Sequence, residues 1–433
     1  MLYPYLSVNE KGHLTIADHD TVDLAKRYGT ALFVLNVDRL RENCRVYVET
    51  MKECFGEASL PLFASKSLSF TGIYRLVSEC GMGTDIVSPG ELYTALRAGF
   101  PMEKAFFHGN NKTDEDIDFA IRSGIGYFIV DNEDELISLN RIAASHKIKQ
   151  KILIRIAPGI DPHTHKAIMT GSVDSKFGKA IATGQAQAIT EQALALDHIE
   201  LCGFHCHIGS QIFDCQPFCD AADRMLEFMA NIKVVLGFES KILNLGGGFG
   251  VRYVESHPAI DIAENIRMVA NHVKKACADL SLAMPTILME PGRSIVADTT
   301  TTLYTVGSVK EIPGFRNFVS VDGGMADNPR YALYGSEYTV MTANKMNDRC
   351  DYLCTIAGRC CESGDLIQED VTIAKPQRGD LIAVLTTGAY NYSMASNYNR
   401  LPRPAILLVG KGYEKLAVKR ETYEDLCRLD CDF

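Results

Sequence analysis

The feature that most constrains the fold is an alternation of short apolar runs and amphipathic helical segments between about residues 60 and 292. Each run is rich in Val, Ile, Leu or Phe and too short for a typical helix, so each is predicted to be a strand. The predicted strands are LPLFASK, GTDIVS, AFFHGN, YFIVDN, ILIRIA, CGFHCHI, KILNLGG and TILMEPG. Eight β–α units of roughly 30 residues favour a (β/α)8 barrel over the alternative, a doubly wound open sheet.

Several of the segments between these strands carry helix start signals. In SPGE, Ser88 is suited to the N-cap, Pro89 to the first turn and Glu91 to the third helical position. In NEDE, Asn132 and Glu135 repeat the pattern. These signals support the helical interpretation of the intervening segments.

The texture of the sequence changes after residue 293. Strand-like runs with little helix between them indicate a mostly antiparallel β domain: TTTLYTVGSVKEI, NFVSVDGG, DYLCTIAGR, DLIAVLTTG and AILLVGKG. The first 35 or so residues, with LTIADH and TALFVLN, also look extended, and we expect them to pair into that domain. The predicted fold class is therefore α/β plus β: a TIM-type (β/α)8 barrel over residues 36–292, with a β-barrel or sandwich domain formed by residues 1–35 and 293–433.

Composition excludes several classes of function. The 433 residues carry a formal net charge of −10 and show no block of Lys and Arg, so neither nucleic acid nor an anionic membrane is an expected partner. The amino terminus lacks the pattern of a signal peptide, and no apolar run approaches 18 residues. We therefore expect a cytoplasmic protein whose 14 cysteines are mostly reduced thiols.

Unusual polar residues fall at the carboxyl ends of the predicted strands, where barrels of this type carry their chemistry. A random scatter would not select one rim so often. These residues are Lys66, Asp85, His108, Asn110, Arg155, His205, His207, Ser210, Glu290 and Arg293, together with the glycines Gly246, Gly247, Gly248 and Gly292.

Two of these features point to a phosphorylated cofactor. The turn GGGFG follows the seventh strand, and barrels often bind phosphate in the loops after strands seven and eight, where Arg293 can add a bidentate contact. Lys66 ends an apolar strand, and a desolvated lysine near a phosphate site suggests a Schiff base with pyridoxal phosphate. Glu290 is then suited to pair with the protonated pyridine nitrogen, and His207 to stack on the ring.

Further motifs, in the same order along nearly the whole chain, match those of a known family. The chain resembles the diaminopimelate decarboxylases, pyridoxal-phosphate enzymes with an alanine-racemase-like barrel and a β domain. CESGD and SNYN are specific to this branch, whereas GGGFG is not. The motifs are FASKSL, DIVSPGELYTALRAGF, HGNNK, SKFG, HCHIGSQIFD, GGGFG, EPGR, DGGMADNPR, LYG, CESGD and GAYNYSMASNYN.

The resemblance implies a cofactor site. Lys66 is the residue expected to bond to pyridoxal 5'-phosphate, although its context SKSL departs mildly from the family pattern. His207 is expected over the ring and Glu290 at the pyridine nitrogen. Asp85 either orients the lysine or caps a turn. The remaining cofactor-binding residues are expected to be Ser210, Gly246, Gly247, Gly248, Gly292, Arg293 and Tyr390.

The resemblance also implies how substrate is bound. Arg330 of DNPR and Tyr334 of LYG are expected to bind the distal carboxylate of meso-2,6-diaminopimelate, with Glu362 at the distal ammonium. Cys361 is expected to deliver a proton within the active site of a neighbouring subunit, which makes a homodimer with shared sites the expected assembly. The catalytic set is thus Lys66, His207, Glu290 and Cys361. Arg293 and Tyr390 are also candidates for substrate contact, Arg293 contacting either phosphate or a substrate carboxylate.

Other functions remain as alternatives at this point. A related decarboxylase acting on lysine, ornithine or arginine would need no second carboxylate clamp, so Arg330 and Glu362 argue against it. A racemase of this fold usually places an arginine at the pyridine nitrogen, where Glu290 is expected here. A homologue that only binds a partner would typically lack the cofactor lysine or the phosphate loop.

The segment LCGFHCHIGSQIFDCQPFC, residues 201–219, raises the further alternative of a zinc hydrolase. Residues alternate between the two faces of a strand, so His205 and His207 should share one face, and Cys202, Phe204 and Cys206 the other. Cys215 and Cys219 fall beyond the strand. Because this geometry is poor for one tetrahedral zinc, no metal site is predicted and the cysteines are expected to be packing residues.

Overall fold

The computed structural model describes residues 2–160 and 175–431. Within these two ranges, no helix is both long enough and apolar enough to cross a membrane. The chain divides into two compact units. The sheet unit comprises Met1–Glu42, Arg252–Pro258 and Ile295–Phe433, and the barrel unit comprises Asn43–Val251 and Ala259–Ser294. The domain limits at residues 36 and 292 stay a prediction.

The strands, in chain order, are β1 Leu6–Val8, β2 Leu14–Ile16, β3 His19–Asp20, β4 Leu32–Asn36, β5 Leu60–Ala64, β6 Gly83–Ile86, β7 Ala105–Phe107, β8 Tyr127–Val130, β9 Gln150–Ala157, β10 Lys179–Ala180, β11 Ile199–His205, β12 Ile242–Asn244, β13 Thr286–Met289, β14 Thr300–Ile312, β15 Arg316–Val321, β16 Val340–Thr342, β17 Cys350–Ala357, β18 Leu366–Ala374, β19 Leu381–Val384, β20 Ala405–Gly410 and β21 Tyr413–Val418.

The helices, in chain order, are α1 Thr21–Tyr28, α2 Val37–Phe55, α3 Thr71–Glu79, α4 Pro89–Ala98, α5 Asp114–Arg122, α6 Glu133–Ser145, α7 Gln185–Leu194, α8 Gln216–Leu236, α9 Ile262–Asp279, α10 Arg293–Val296, α11 Arg330–Tyr334 and α12 Tyr423–Cys427.

The barrel unit is a closed parallel barrel, as the alternation of strands and helices predicts. Eight strands pair in the order β5, β6, β7, β8, β9, β11, β12 and β13, and β13 returns to β5 where Leu288 pairs with Leu60. Each of the eight predicted runs overlaps one of these strands, although β9 and β11 begin before the runs ILIRIA and CGFHCHI. The barrel prediction is confirmed, and the open doubly wound sheet is excluded because β13 pairs with β5.

The sheet unit is mostly antiparallel and is built from both ends of the chain. β4 pairs antiparallel with β14 and parallel with β20, so the predicted extended segment TALFVLN does join strands from the second half of the sequence. LTIADH differs, because β2 lies in a small sheet with β1 and β3. Strands β18 and β21 were not among the runs singled out in the sequence. Both have a largely exposed or half-buried face, which weakens the apolar signal.

The interior of the barrel is filled by one cluster of apolar side chains, to which Cys202 belongs. The ring of Phe204, in contrast, packs edge-on against Phe228 of α8. The prediction that Cys202 and Phe204 share a face is therefore wrong. The physical reason is a register shift between Leu201 and Gly203, which breaks the alternation of the strand. The cluster consists of Leu62, Phe106, Ile129, Leu153, Cys202 and Leu288.

Both predicted N-caps form. The Ser88 side chain accepts a hydrogen bond from the Glu91 N–H (3.2 Å), and the Asn132 side chain accepts one from the Glu135 N–H (2.9 Å). The glutamates do not return to their own cap residues, as a capping box would require. Glu91 Oε2 instead accepts from the Val87 N–H, one residue before its cap.

Glu135 forms a buried ion pair with Lys112 of the HGNNK motif. Lys112 Nζ lies 2.7 Å from Glu135 Oε1 and also donates to the carbonyl oxygens of Gly109 and Ile129. Lys112 and Glu135 are 8% and 4% exposed. The pair therefore connects the loop after β7 to β8 and α6, and removal of one partner leaves the other charge buried and unpaired.

We expect Lys112→Met to lower the free energy of unfolding by about 3–5 kcal/mol, because the Glu135 carboxylate loses its cation without returning to water. Urea unfolding followed by far-UV circular dichroism measures this, since the chain contains no tryptophan. The matched control is Arg122→Met, which removes an exposed ion pair with Asp118 and should leave the transition nearly unchanged. Equal effects of the two substitutions would contradict the assigned role of the buried pair.

Candidate active site

The rim residues of the barrel unit converge at the carboxyl ends of its strands. Lys66 lies in a single 3-10 turn, Ser65–Ser67, that directly follows β5. The Ser65 hydroxyl lies 2.7 Å from the Asp85 carbonyl oxygen and 2.8 Å from Glu91 Oε2, two acceptors for its one hydrogen, and these contacts hold the turn against β6 and α4. The sequence interpretation of Lys66 as a desolvated lysine is corrected: the side chain is exposed, because it leaves the turn beyond the end of the strand.

Glu290 is the most thoroughly bonded carboxylate of this rim. Asn244 Nδ2 donates to its Oε1 at 2.6 Å, and His108 Nε2 lies 2.9 Å from the same oxygen. His205 Nε2 lies 3.1 Å from Oε2. Burial by itself would raise the pKa of Glu290, but the imidazoles of His108 and His205 outweigh it and hold that pKa well below its ordinary value. The carboxylate is therefore ionised.

His205 reaches Glu290 as a neutral ring. It is completely buried, and burial lowers its pKa to about 4 despite the neighbouring carboxylate. Because Nε2 faces a carboxylate oxygen, it carries the hydrogen and donates it. His205 also packs edge-on against His108, with ring centroids 4.9 Å apart. The two histidines thus brace one another and the carboxylate between them.

Asp85 is completely enclosed, and neither of its carboxylate oxygens has a hydrogen-bond partner among the described residues. The imidazole of His108 lies near it, with Nε2 3.9 Å from Asp85 Oδ1. Burial raises the pKa of Asp85, opposed by His108 and Lys66. A buried acceptor without a donor is uncommon in proteins and indicates a place where a ligand group completes the bonding.

The glycines after β12 allow three backbone segments to pack closely. A Cβ on Gly247 would overlap the carbonyl oxygen of Glu290 and lie 2.8 Å from its carbonyl carbon. A Cβ on Gly246 would overlap the carbonyl oxygen of Cys206, and Gly246 has φ +68°. The Gly247 N–H donates to His207 Nδ1 (3.2 Å), which fixes the plane of that imidazole. Burial, with Lys66 and Arg155 nearby, lowers the pKa of His207 well below its ordinary value.

Ser210 and Arg293 form a second polar group on the same unit. Arg293 Nε and one terminal nitrogen donate to Ser210 Oγ at 3.1 and 3.0 Å. Arg293 is 7% exposed. Gly292 precedes it, and a Cβ there would lie 2.9 Å from the Cβ of Ala64, at the base of the Lys66 turn. A serine hydroxyl beside an arginine is a donor arrangement suited to an anion.

Arg155 was noted at the end of the fifth strand but not assigned to the site, and the structure places it there. Its guanidinium carbon lies 4.4 Å from the centroid of the Phe177 ring, a cation–π contact with the SKFG motif. Burial lowers the pKa of Arg155, opposed by Asp131, Glu290 and Asp85. Asp131 Oδ1 accepts from the Gly178 N–H (3.0 Å), which secures the same motif.

In the sheet unit, three of the predicted substrate residues come together. Arg330 is 6% exposed, and its guanidinium carbon lies 4.5 Å from the ring centroid of Tyr334 and 5.2 Å from that of Tyr390. Its Nε has no hydrogen-bond partner among the described residues. One terminal nitrogen donates to Met394 Sδ at 4.0 Å. A guanidinium near two tyrosine rings with an unpartnered Nε suits a planar anion such as a carboxylate.

Cys361 and Glu362 differ from Arg330 in their exposure to solvent. Both are exposed and lie in the loop between β17 and β18. The Cys361 N–H donates to Asn399 Oδ1 at 2.6 Å. Their side chains therefore extend from the surface of a single chain.

The sequence did not identify the residues that contact and position the predicted site residues. His205, Asn244 and Arg155 were not assigned to the site, and His108 was interpreted only as a hydrogen-bonded rim residue. Asn244 carried a usable signal, since it is a polar residue at the last position of the apolar strand β12. The pairings to Glu290 carried none, because they join residues 46 and 85 positions apart.

Possible metal ligands also meet here. Among the described residues, one ligand atom from each of His108, His205 and Glu290 lies within 4.8 Å of the others. This group shares only His205 with the Cys and His segment from which a zinc site was considered. Of that segment, Cys202 packs in the barrel core, and Cys206, Cys215 and Cys219 are buried.

Comparison with known proteins relates this site to one family. The family model for the pyridoxal binding domain of pyridoxal-dependent decarboxylases matches residues 40–297. The chain is 47% identical over 414 residues to a diaminopimelate decarboxylase of Bacillus methanolicus, covering 96% of each protein. It is 45% identical over 428 residues to a diaminopimelate decarboxylase of Bacillus subtilis, covering 98% of this chain and 97% of that protein.

A solved structure is similar over the same extent. The diaminopimelate decarboxylase of M. jannaschii in co-complex with L-lysine matches with a TM-score of 0.91 and 33% sequence identity. The match covers 99% of this chain and 98% of that chain. The resemblance noted in the sequence is thereby confirmed over nearly the full length.

The depressed pKa of His205 predicts an acid-sensitive fold. The unfolded chain takes up a proton on this residue below about pH 6.5, whereas the folded chain does so only below about pH 4. The unfolded state therefore binds more protons in this window, and the free energy of unfolding falls as pH drops through it. His205→Gln keeps an N–H donor for Glu290 but cannot titrate. Its loss of stability from pH 6.5 to 4 should be smaller than the wild type's by on the order of 3 kcal/mol.

Urea unfolding of the cofactor-free proteins across this pH range measures the difference. His198→Gln is the control, because His198 lies partly exposed outside the rim and its imidazole hydrogen bonds to the Ile148 carbonyl rather than to a carboxylate. Its pH dependence should match the wild type's. The same pH dependence in His205→Gln and wild type would show that His205 does not titrate as stated.

Proposed function

The chain belongs to the diaminopimelate decarboxylases, within the family of pyridoxal-dependent decarboxylases, and we propose that it converts meso-2,6-diaminopimelate into L-lysine and CO2. This reaction is the last step of lysine biosynthesis by that route. The observation that carries the proposal is the buried, ionised carboxylate of Glu290, which is suited to hold a protonated pyridine nitrogen. An arginine in that place would instead favour racemisation.

The residues of the rim fit pyridoxal phosphate. The unpartnered oxygens of Asp85 and the unpartnered Nδ1 of His205 are buried polar atoms of the kind that a polar ligand satisfies. The glycines after β12 leave no space for side chains, so only backbone lines that part of the rim. The Ser210 and Arg293 donors suit a phosphate dianion. Cofactor contacts are proposed for Lys66, Asp85, His207, Ser210, Gly246, Gly247, Gly248, Glu290, Gly292, Arg293 and Tyr390.

Three of these residues have separate proposed tasks. Lys66 would hold the cofactor covalently through its amine, His207 would lie over the ring, and Glu290 would face the pyridine nitrogen. Pyridoxal phosphate, when bound, supplies an electron sink for the electron pair left by the departing carboxylate. The donors around Glu290 keep its carboxylate ionised, so it retains a proton at the facing nitrogen rather than removing one.

The substrate residues distinguish the proposed reaction from that of a diamine-forming enzyme. Arg330, between the rings of Tyr334 and Tyr390, presents a guanidinium that suits the distal carboxylate, which lysine and ornithine lack. Glu362 would accept hydrogen bonds from the distal ammonium. The thiol of Cys361 would give its proton to the carbon that has lost CO2, so that one proton replaces one carboxylate.

Product identification tests this function. Protein incubated with pyridoxal phosphate and meso-diaminopimelate should release one CO2 and one L-lysine per turnover, far faster than it releases CO2 from L-lysine or L-ornithine. Lys66→Ala should abolish both the release and the cofactor absorbance of the purified protein.

Three results would count against the proposal. Faster decarboxylation of L-lysine or L-ornithine would overturn the substrate. Racemisation without CO2 would overturn the interpretation of Glu290. A wild-type protein that cannot take up the cofactor would favour the binding-only alternative.

A homodimer with shared sites is also part of the proposal. It is supported by the exposure of Cys361 and Glu362 in the single chain, as expected of residues that complete a site on another subunit. All 14 cysteines are free thiols, which supports a reducing location such as the cytoplasm. Fractionation of cells producing the protein tests the location.

Mixed subunits test the shared sites. Lys66→Ala and Cys361→Ala homodimers should each be nearly inactive. If the thiol acts in the neighbouring site, a mixed dimer contains one doubly altered site and one intact site. Equal mixing should then restore about a quarter of the wild-type activity, since half of the dimers are mixed and one of their two sites works. No recovery in dimers shown to exchange subunits would place Cys361 in its own subunit's site.

A further inference from the structure

Three loops of the sheet unit are joined by hydrogen bonds into a closed ring. The arginine loop, residues 322–329, leads into Arg330. The cysteine loop, residues 358–365, carries Cys361 and Glu362. The tyrosine loop, residues 388–400, carries Tyr390. These loops follow β15, β17 and β19, and each carries or leads into predicted substrate or catalytic residues.

Asp365 joins the first two loops. It is 3% exposed, and its Oδ1 accepts a hydrogen bond from the Met325 N–H at 2.6 Å. Its Oδ2 accepts one from the Cys360 N–H, also at 2.6 Å. The Arg359 N–H adds a bond to the Gly323 carbonyl at 3.0 Å. One carboxylate therefore connects the residue before Cys361 with the turn that leads to Arg330.

The backbone packs closely around the Asp365 carboxylate, so that side chains at two neighbouring glycines would overlap it. A Cβ on Gly358 or on Gly324 would overlap its oxygens, and Gly324 has φ +150°. The Gly358 N–H also donates to the Asp365 carbonyl at 2.8 Å, which closes the cysteine loop. Two glycines from two different loops thus meet the carboxylate directly.

The tyrosine loop completes the ring. Asn399, in the left-handed region with φ +52°, accepts from the Cys361 N–H at 2.6 Å. The Ser396 N–H donates to the Ala326 carbonyl at 2.8 Å, which returns to the arginine loop. The amides of Cys360 and Cys361 are therefore held by side chains from two separate positions.

We propose that Asp365 and Asn399 are positioning residues, which fix the place from which the Cys361 thiol reaches the neighbouring subunit's site by holding the amides of Cys360 and Cys361. Asp365 also ties this loop to the turn that leads into Arg330 of the same chain. This inference rests on the proposed function for the roles of Cys361 and Arg330. Neither Asp365 nor Asn399 touches the reacting atoms, and both act through the loops. Misplacement by about 1 Å at an active site can cost on the order of 10²-fold in rate, so loop placement is a sufficient lever.

The substitution Asp365→Asn changes the hydrogen bonding of this side chain while nearly preserving its size and shape. The amide has nearly the same size, but one of its two acceptor atoms becomes an NH2 group facing a backbone N–H. One of the two loop bonds must then break. Asp380→Asn is the matched control: Asp380 is a 5% exposed carboxylate of the same unit that accepts from the Gln377 N–H and from Asn344, away from the three loops.

Hydrogen–deuterium exchange of the holoenzyme tests the connection without reference to activity. In Asp365→Asn, amides of both the arginine loop and the cysteine loop should exchange faster, although the two loops are about 40 residues apart in sequence. Asp380→Asn should leave both loops unchanged. Unchanged exchange of the arginine loop in Asp365→Asn would overturn the proposal.

A double-mutant cycle with Cys361→Ala tests the positioning role. Asp365→Asn should lower kcat by about 10²-fold in the wild-type background. In the Cys361→Ala background it should change kcat by no more than about twofold, because the group that it positions is already gone. The same fold-loss in both backgrounds would show that Asp365 acts independently of the thiol and would overturn its role for Cys361.

Asn399→Ala provides a variant that does not disturb a buried charge. Asn399 is exposed, so loss of its side chain should leave folding intact by circular dichroism while it releases the Cys361 amide. It should show the same dependence on Cys361. If Cys361→Ala itself leaves kcat unchanged, the proposed function of the thiol fails. Hydrogen exchange then decides separately whether Asp365 joins the loops.

Discussion

The buried charge of Glu290 is the constraint on which the rim of the barrel depends. An ionised carboxylate is costly to bury unless its oxygens accept hydrogen bonds, and here it accepts them from the last residues of two different strands, Asn244 of β12 and His205 of β11. Only a closed parallel barrel brings such distant strand ends onto one rim. Burial lowers the pKa of His205, so this donor is a neutral ring. A third side chain, His108, follows β7 and places its Nε2 2.9 Å from Glu290 Oε1.

The barrel could be predicted from the sequence because its signals are local. Each strand is a short apolar run, and the caps at Ser88 and Asn132 are set by residues three positions apart. The sheet unit was predicted less completely, since β18 and β21 have polar or exposed faces that resemble loops. The register shift beside Cys202 left no local signal at all. It places Cys202 in the barrel core rather than on the face that it was predicted to share with Phe204.

In the candidate site, too, some residues could be predicted from local sequence and others could not. Motifs identify residues by their type and spacing, so Lys66, His207 and Glu290 could be singled out before any coordinates. The residues that hold them could not, because support depends on contacts across the sequence. Glu91 of α4 accepts from Ser65 and so steadies the lysine turn, yet its sequence context showed only a helix start. The exposure of Lys66 likewise follows from the turn after β5 rather than from the apolar run before it.

Glu290 and Asp365 solve one physical problem in two ways, with different consequences. Both are buried carboxylates that need donors. Glu290 accepts its hydrogen bonds from side chains, so these bonds do not determine the path of the surrounding backbone. Its carboxylate is then suited to face the ring of a bound cofactor. Asp365 takes them from main-chain amides of two loops, so its bonds fix where those loops run. The neighbouring side chains therefore determine the position of the Glu290 carboxylate, whereas the Asp365 carboxylate determines the positions of the neighbouring loops. The barrel unit can therefore hold a cofactor on rigid strand ends. In the sheet unit, the proposed substrate residues lie on loops or on the short helix α11 that follows one, and Asp365 gives two of those loops one arrangement.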